Sequence, residues 1–407
     1  MSQSSKNKNH QLPLMLSPAV SQLGSALYIL GQNWLVVRST GTTSLLGIIE
    51  AVGGVGFFLG DLFIGELVDH HNRKKVLLWT DLLSAVICFF GSFLINNENP
   101  QAWLLILITF TLNFLFTINY PAAKSMAPEI MAGSKLQRFN ALANMVFNFA
   151  NIISPLIGGL LLSIKSINFS EFVLINAASF LVAAFLNFLI RYSWPQDNTD
   201  RSSTSFVQDI ANGFRYVFKN KNLFQFILSM AIFNFCSAGC LLIAPYIGNH
   251  FFGGHAANYS IFLAVSAIGG LIGGSLLAIQ KQAVSSQTLY REIIFEGFSL
   301  LIAGIFLPDS FIVWFILAFI IGLIQSRFFS ISITLIQKET EIAYLGRIFG
   351  LTFLFFDGIQ PLGSLIFGYL INSWRQYTYS FIGVMLLLFF GPFLLHNKNK
   401  QNKNAAI

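Results

Sequence analysis

Twelve apolar runs, each near the roughly 20 residues that an α-helix needs to cross a bilayer, leave this chain little room for any other architecture. Six fall at about 15–37, 43–68, 76–95, 102–120, 141–163 and 172–190. Beyond a polar stretch from Arg191 to Asn222, six more fall at about 223–247, 259–279, 292–307, 311–336, 348–371 and 379–395. Only 10% of the residues are charged and 55% are hydrophobic. An ordinary soluble domain is about 25% charged, so too few charges exist to coat a globule. A soluble enzyme, a nucleic-acid module and a disordered chain are all excluded. The expected fold is an all-α polytopic membrane protein with a tail (1–14), a six-helix bundle (15–190), a linker (191–222), a second six-helix bundle (223–395) and a C-terminal tail (396–407).

The net charge of +7 follows from topology. With the N-terminus inside, 20 of the 24 lysines and arginines fall in cytoplasmic loops and tails, as the positive-inside rule requires. Arg38, Lys165 and Arg375 fall outside, and Arg327 lies within a span. Both termini are therefore expected in the cytoplasm, the partner surface is the lipid bilayer, and no nucleic acid is implied. The polar start, Met1–Ser17, runs into the first span without a small-residue cleavage site, which reads as an uncleaved first helix. In the linker, Phe206, Ile210, Phe214, Val217 and Phe218 recur at helical spacing among Arg215, Lys219 and Lys221. This pattern suits an amphipathic helix on the inner leaflet, or a solvated linker with incidental aromatics. Cys88, Cys236 and Cys240 lie in apolar runs and read as packing residues.

The halves resemble each other. Ser44–Gly54 (SLLGIIEAVGG) matches Ser260–Gly270 (SIFLAVSAIGG) at a constant offset of 216 residues. Leu136-Gln137-Arg138 before the fifth span is echoed by Leu345-Gly346-Arg347 before the eleventh, each followed by a proline and glycines. Duplication with irregular helices is a mark of secondary transporters, although glycine pairs also serve close helix packing.

These features resemble the major facilitator superfamily. The stretch Gly65-Glu-Leu-Val-Asp69-His-His-Asn-Arg73-Lys74-Lys75 is similar to that family's G-x-L-x-D-R-x-G-R-[KR] loop motif. His70 replaces a basic residue and Asn72 a glycine; asparagine tolerates the left-handed conformation, so the turn is expected to survive. The resemblance implies a conformational latch of Gly65, Asp69, Arg73 and Lys74. In the fifth span, Ala150-Asn-Ile-Ile-Ser154-Pro155-Leu-Ile-Gly158-Gly159 resembles the family's antiporter motif, which is associated with export. The fourth span lacks the arginine common in proton-coupled drug exporters and offers Asn113 and Asn119 instead. Further segments, among them Ser21–Gly24, Trp34–Val36, Asp81–Leu83, Pro121 through Glu129, Asn176–Leu181 and Gly346-Arg347, resemble the macrolide-efflux and enterobactin-exporter branch. Asn176 and Ser25 stand where relatives often carry acids.

Ionisable residues inside a membrane default to a functional reading. Arg327 lies 11 residues before Lys338, and Asp357 lies 10 residues after Arg347, which places both about 15 Å deep at 1.5 Å per residue. Equal depth on consecutive helices suggests an Arg327–Asp357 pair, either a proton switch or a permanent staple. In the second span, Asp61 is a further proton-carrier candidate or a vestibule residue, and Glu50 a carrier or an outer ion-pair partner of Arg38. Glu296 and Asp81, within two turns of cytoplasmic helix ends, read as interfacial. Gln22, Asn33, Asn113 and Asn234 are polar-anchor candidates for a substrate cavity, or interhelical hydrogen bonds. The six histidines fall in loops or tails, so no buried base or metal site is implied, and no phosphate-binding loop suggests ATP drive. The expectation is a monomeric secondary transporter without a cofactor. It is driven by the proton motive force and exports an amphiphilic, drug- or macrolide-like small molecule by alternating access. A siderophore, peptide or lipid-like metabolite is the alternative cargo, and a non-transporting sensor the rival class.

Overall fold

The computed structural model describes residues 8–131, 133–164, 167–192, 214–251, 253–280, 284–307, 310–341 and 344–405; the side chains of 8–10, 61–70, 133–134, 137, 141, 345–347 and 395–405 lie outside that description. Twelve long helices account for nearly all of it: α1 (Lys8–Thr40), α2 (Ser44–His70), α3 (Arg73–Leu94), α4 (Ala102–Ile130), α5 (Gly133–Ser163), α6 (Phe169–Leu189), α7 (Lys221–His250), α8 (Ala256–Ile279), α9 (Ser286–Phe306), α10 (Phe311–Glu339), α11 (Leu345–Trp374) and α12 (Tyr377–Ala405). Ten are long and apolar enough to cross a membrane. In α2 only Ser44–Gly60 counts toward that measure, and α9 carries Arg291, Glu292 and Glu296 within 21 residues. Helix α9 begins at Ser286, earlier than its apolar run suggests.

Contacts divide the chain into two units, 1–41 with 48–198, and 42–47 with 199–407. The short segment 42–47 joins the second unit through hydrogen bonds: Thr43 Oγ1 donates to the Gly368 carbonyl at 2.8 Å, and Asn372 Nδ2 donates to Ser44 Oγ at 2.6 Å.

Each unit repeats the same internal plan. In the first, α1 packs on α5 and α6, and α3 on α4 and α6; in the second, α7 packs on α11, and α9 on α10 and α12. Gly53 and Gly269, at the 216-residue offset, each lie against a neighbouring helix. A Cβ on Gly53 would stand 2.8 Å from Asn113 Nδ2 of α4, and one on Gly269 would stand 2.2 Å from the Phe319 carbonyl oxygen of α10. At Gly269 only a residue without a Cβ lets the two backbones meet, whereas Gly53 lies against side chains of α4.

Of the linker pattern, Phe206 and Ile210 lie outside the described residues. The helical turn over 214–219 lies against the second unit. Phe214 meets Phe355 edge-on at 5.7 Å, and Tyr216 stacks on Tyr344 at 4.6 Å. Val217 is buried, whereas Phe218 is 63% exposed. Asn220 then caps α7 by accepting the backbone N–H groups of Asn222 and Leu223, the usual role of asparagine at that position.

Candidate functional site

Among the described residues, the polar groups of interest gather in four places, three in the first unit and one in the second. The latch segment begins the first. The side chains of Asp61, Gly65 and Asp69 lie outside the described residues; Arg73 and Lys74 do not. Asn72 is extended (φ −61°, ψ 109°) and caps α3 by accepting the Lys75 N–H. Asparagine therefore serves here as a helix cap, and the expected left-handed turn residue is not required. Arg73 Nη1 forms an ion pair with Glu129 at the end of α4, and the Tyr192 hydroxyl donates to the other Glu129 oxygen. Lys74 Nζ donates to the Phe188 carbonyl at 2.9 Å and lies 5.4 Å from that ring's centroid. A cation is favoured at a helix C-terminus because carbonyl dipoles accumulate there. The ends of α3, α4 and α6 are thus tied by charge. Glu129 was legible only as part of a motif, with no role attached.

One layer deeper lies a buried carboxylate cluster. Asp81 is 2% exposed, which corrects its interfacial assignment: it faces the α3–α4–α6 contact rather than the helix end. Its Oδ1 accepts from Asn119 Nδ2 at 2.9 Å and its Oδ2 from Asn187 Nδ2 at 2.7 Å. Asn119 also donates to Thr80 Oγ1 at 2.7 Å. Both carboxylate oxygens are satisfied, while Asn187 Oδ1 is buried without a hydrogen-bond partner among the described residues. Asn119 thus serves a carboxylate, in a helix that lacks the arginine of related exporters. A separate trio closes the core of α1 and α4: the Tyr28 hydroxyl and Thr109 Oγ1 both donate to Gln32 Oε1.

In the second unit, Arg327 finds a different partner from the one its depth suggests. Its Nε and Nη2 approach Glu292 Oε1 at 2.8 and 2.6 Å. Helix α10 packs mainly on α8 and α9, while α11 packs on α7; α10 meets α11 through the rings of Phe329, Phe353 and Phe356, yet Arg327 is held by Glu292 rather than by Asp357. Asp357 is half-buried on α11. Glu296, one turn beyond Glu292, is 2% exposed and has no hydrogen-bond partner for Oε2 among the described residues. It too is misplaced by an interfacial reading. The four-residue spacing of Glu292 and Glu296 was the available signal that α9 presents acids to the bundle.

The remaining candidates occupy helix contacts. Gln22 Nε2 donates to Asn151 Oδ1 at 2.8 Å, joining α1 to α5, and Asn234 Nδ2 donates to the Phe356 carbonyl at 2.6 Å, joining α7 to α11. Asn113 packs on Gly53. Asn33 is 8% exposed, with Oδ1 unpaired among the described residues. Glu50 is half-buried and makes no ion pair with the exposed Arg38 among the described residues. In α5, Ser154 Oγ donates back to the Asn151 carbonyl at 3.1 Å, Pro155 lies within the continuous helix, and Gly158 lies against Leu27 and Leu30 of α1. Gly159 is buried. Cys88, Cys236 and Cys240 are buried free thiols.

Long apolar helices in two similarly built units, with acids and an arginine held inside, define a multi-pass membrane transporter of the major facilitator type. The fold agrees with solved transporters. The nucleoside transporter NupG superposes with a TM-score of 0.74 over 95% of this chain and 98% of its own, at 13% identity. A bacterial homologue of the iron transporter ferroportin gives 0.68 over 94% and 98%, at 17% identity. Residues 12–406 match the transmembrane secretion effector family, and the chain belongs to that family. Macrolide efflux protein A of Streptococcus pyogenes is 24% identical over 352 residues, covering 86% of each chain. The multidrug efflux pump Tap of Mycobacterium tuberculosis is 22% identical over 385 residues, covering 90% of this chain and 88% of its own.

Proposed function

We propose that the protein is a proton-driven exporter of amphiphilic, drug- or macrolide-like small molecules. It works by alternating access in the cell membrane, as a monomer without a cofactor and with both termini in the cytoplasm. The observation that carries this reading is the Arg327–Glu292 pair. A guanidinium 12 residues from the end of α10 and a carboxylate six from the start of α9 cost several kcal/mol to keep in an apolar bundle, and in transporters such groups carry ions or protons. Protonating Glu292 would release Arg327, so proton binding can bias the packing of α9 on α10. Asp357, Asp61 and Glu50 remain further carriers in this scheme, with Gly65, Asp69, Arg73 and Lys74 as the latch. The efflux relatives, alike over most of their length, and the Ser154–Gly159 segment of α5 support the outward direction.

The test is accumulation of a labelled macrolide and of ethidium in cells stripped of native efflux pumps. Cells express the wild type, Glu292→Gln or Asp357→Asn, each with and without a protonophore. Lower accumulation with the wild type, abolished by the protonophore and by Glu292→Gln, is the expected result. A wild type confirmed in the membrane that lowers neither compound would refute drug export and turn the search to siderophores, peptides and lipid-like metabolites.

A further inference from the structure

Glu296 is an acid that the scheme above leaves unused. It lies inside the second unit at 2% exposure, with Oε2 lacking a donor among the described residues. The surrounding helices offer it little. From α7, the Cys236 and Cys240 thiols lie within electrostatic range of it, and a thiol is a weak donor. From α10, Arg327 is taken by Glu292. From α12, Gly383 and Leu387 face Gly297 beside it, and Tyr379, near the start of that helix, has its electrostatic contact with Cys240. An ionised carboxylate without donors in an apolar interior is strongly disfavoured, whereas a neutral carboxyl fits this pocket.

Glu292 and Glu296 are one turn apart on α9, about 6 Å along the axis, and Arg327 reaches that helix from α10. We infer that Glu292 and Glu296 are alternate partners of Arg327, and that a single proton moves between them in the opposite sense to the arginine. In the state described here the proton is on Glu296 and Arg327 is on Glu292. In the other state Glu292 holds the proton and the Glu296 carboxylate is paired with Arg327. One O–H bond breaks at Glu296 and one forms at Glu292, directly or through an intervening water, and the net charge of the trio is unchanged. The swap carries a proton one helical turn along α9 without ever burying an unpaired charge. This inference rests on the proton-coupled reading for its role in transport, but the swap itself can be tested apart from any cargo.

The experiment is infrared difference spectroscopy of purified full-length protein in lipid nanodiscs at neutral pH, for the wild type, Glu296→Gln and Glu292→Gln. The wild type is expected to show a protonated-carboxyl band that Glu296→Gln lacks. Glu292→Gln should lose the same band although Glu296 is intact, because Arg327 then turns to Glu296 and ionises it; a merely structural acid would not respond. A band that survives either substitution overturns the swap. In proteoliposomes, Glu296→Gln is expected to abolish ethidium movement driven by a pH gradient while keeping gradient-independent exchange of labelled ethidium. Wild-type ethidium transport that ignores the gradient would refute proton coupling and with it the transport role of the swap. Gradient-driven transport that persists in Glu296→Gln would refute the inference alone.

Discussion

Asp81 offers a decisive test of how the first unit is held together, because two substitutions that look similar should behave differently. In Asp81→Ala, Asn187 Nδ2 loses its acceptor and joins Asn187 Oδ1, which already lacks a partner among the described residues. Asn119 keeps only Thr80. Two hydrogen bonds to a charged group are lost, each contributing about 1.5–3 kcal/mol, and buried amide groups are left unmade at about 1–3 kcal/mol. Hydrogen bonds inside membrane bundles measure lower, near 0.6 kcal/mol on average, so a destabilisation of roughly 2–4 kcal/mol is expected. In Asp81→Asn, the new Oδ1 still accepts from Asn119. A flip of the Asn187 amide lets its vacant Oδ1 accept the new N–H, so the loss should stay near 1 kcal/mol. Unfolding of detergent-solubilised protein, followed by the loss of its monodisperse size-exclusion peak on heating, reads the difference. Adding Asn187→Leu to Asp81→Ala should recover part of the loss, since removing both partners is cheaper than orphaning one. Equal damage from alanine and asparagine, or no recovery in the double variant, would refute this account of the cluster.

Other outcomes follow from the same geometry. Gly269→Val should prevent accumulation of folded protein, since its Cβ would stand 2.2 Å from a backbone oxygen, whereas Gly350→Ala, whose Cβ would meet nothing within 4 Å, should express normally; membrane-fraction yield compares them. Arg73→Gln and Glu129→Gln should lower macrolide export to a similar extent, and the double variant should be no worse than either single one; additive losses would show that the pair does not act as a unit. Gln22→Leu and Asn151→Leu should show a coupling of about 0.6–1.7 kcal/mol in a thermal double-mutant cycle. A changed substrate preference in Gln22→Leu alone would instead make Gln22 a cargo contact.

The fold was legible because span length and the 216-residue repeat are local properties of the chain; the same offset predicted which glycines meet a neighbouring helix. Partnerships were less legible. Depth along a helix can be read from a sequence, but the choice of neighbour cannot: Arg327 was matched to Asp357 by depth, while packing places α9 beside α10. Asp81 and Glu296 were assigned by distance from a helix end, a measure blind to the face on which a residue lies. Glu129 and Asn187 carry no pattern of their own and acquire meaning only when α3, α4 and α6 converge. Asn72 shows a subtler limit, since one residue type suits both a left-handed turn and a helix cap.

The adjacency of α9 and α10 bears on how the protein is made. A lone arginine or carboxylate at the centre of an entering helix resists insertion by about 2.5–3.5 kcal/mol. Glu292 and Arg327 lie on helices that leave the ribosome one after the other, so they can enter the bilayer as a neutral hairpin. Asp81 has no such companion: Asn119 follows on the next helix, but Asn187 arrives two helices later still, and the cluster closes only when α6 has been synthesised. The first half must therefore hold a partly satisfied acid in the membrane during translation, and insertion defects caused by mutations in α6 should surface at α3.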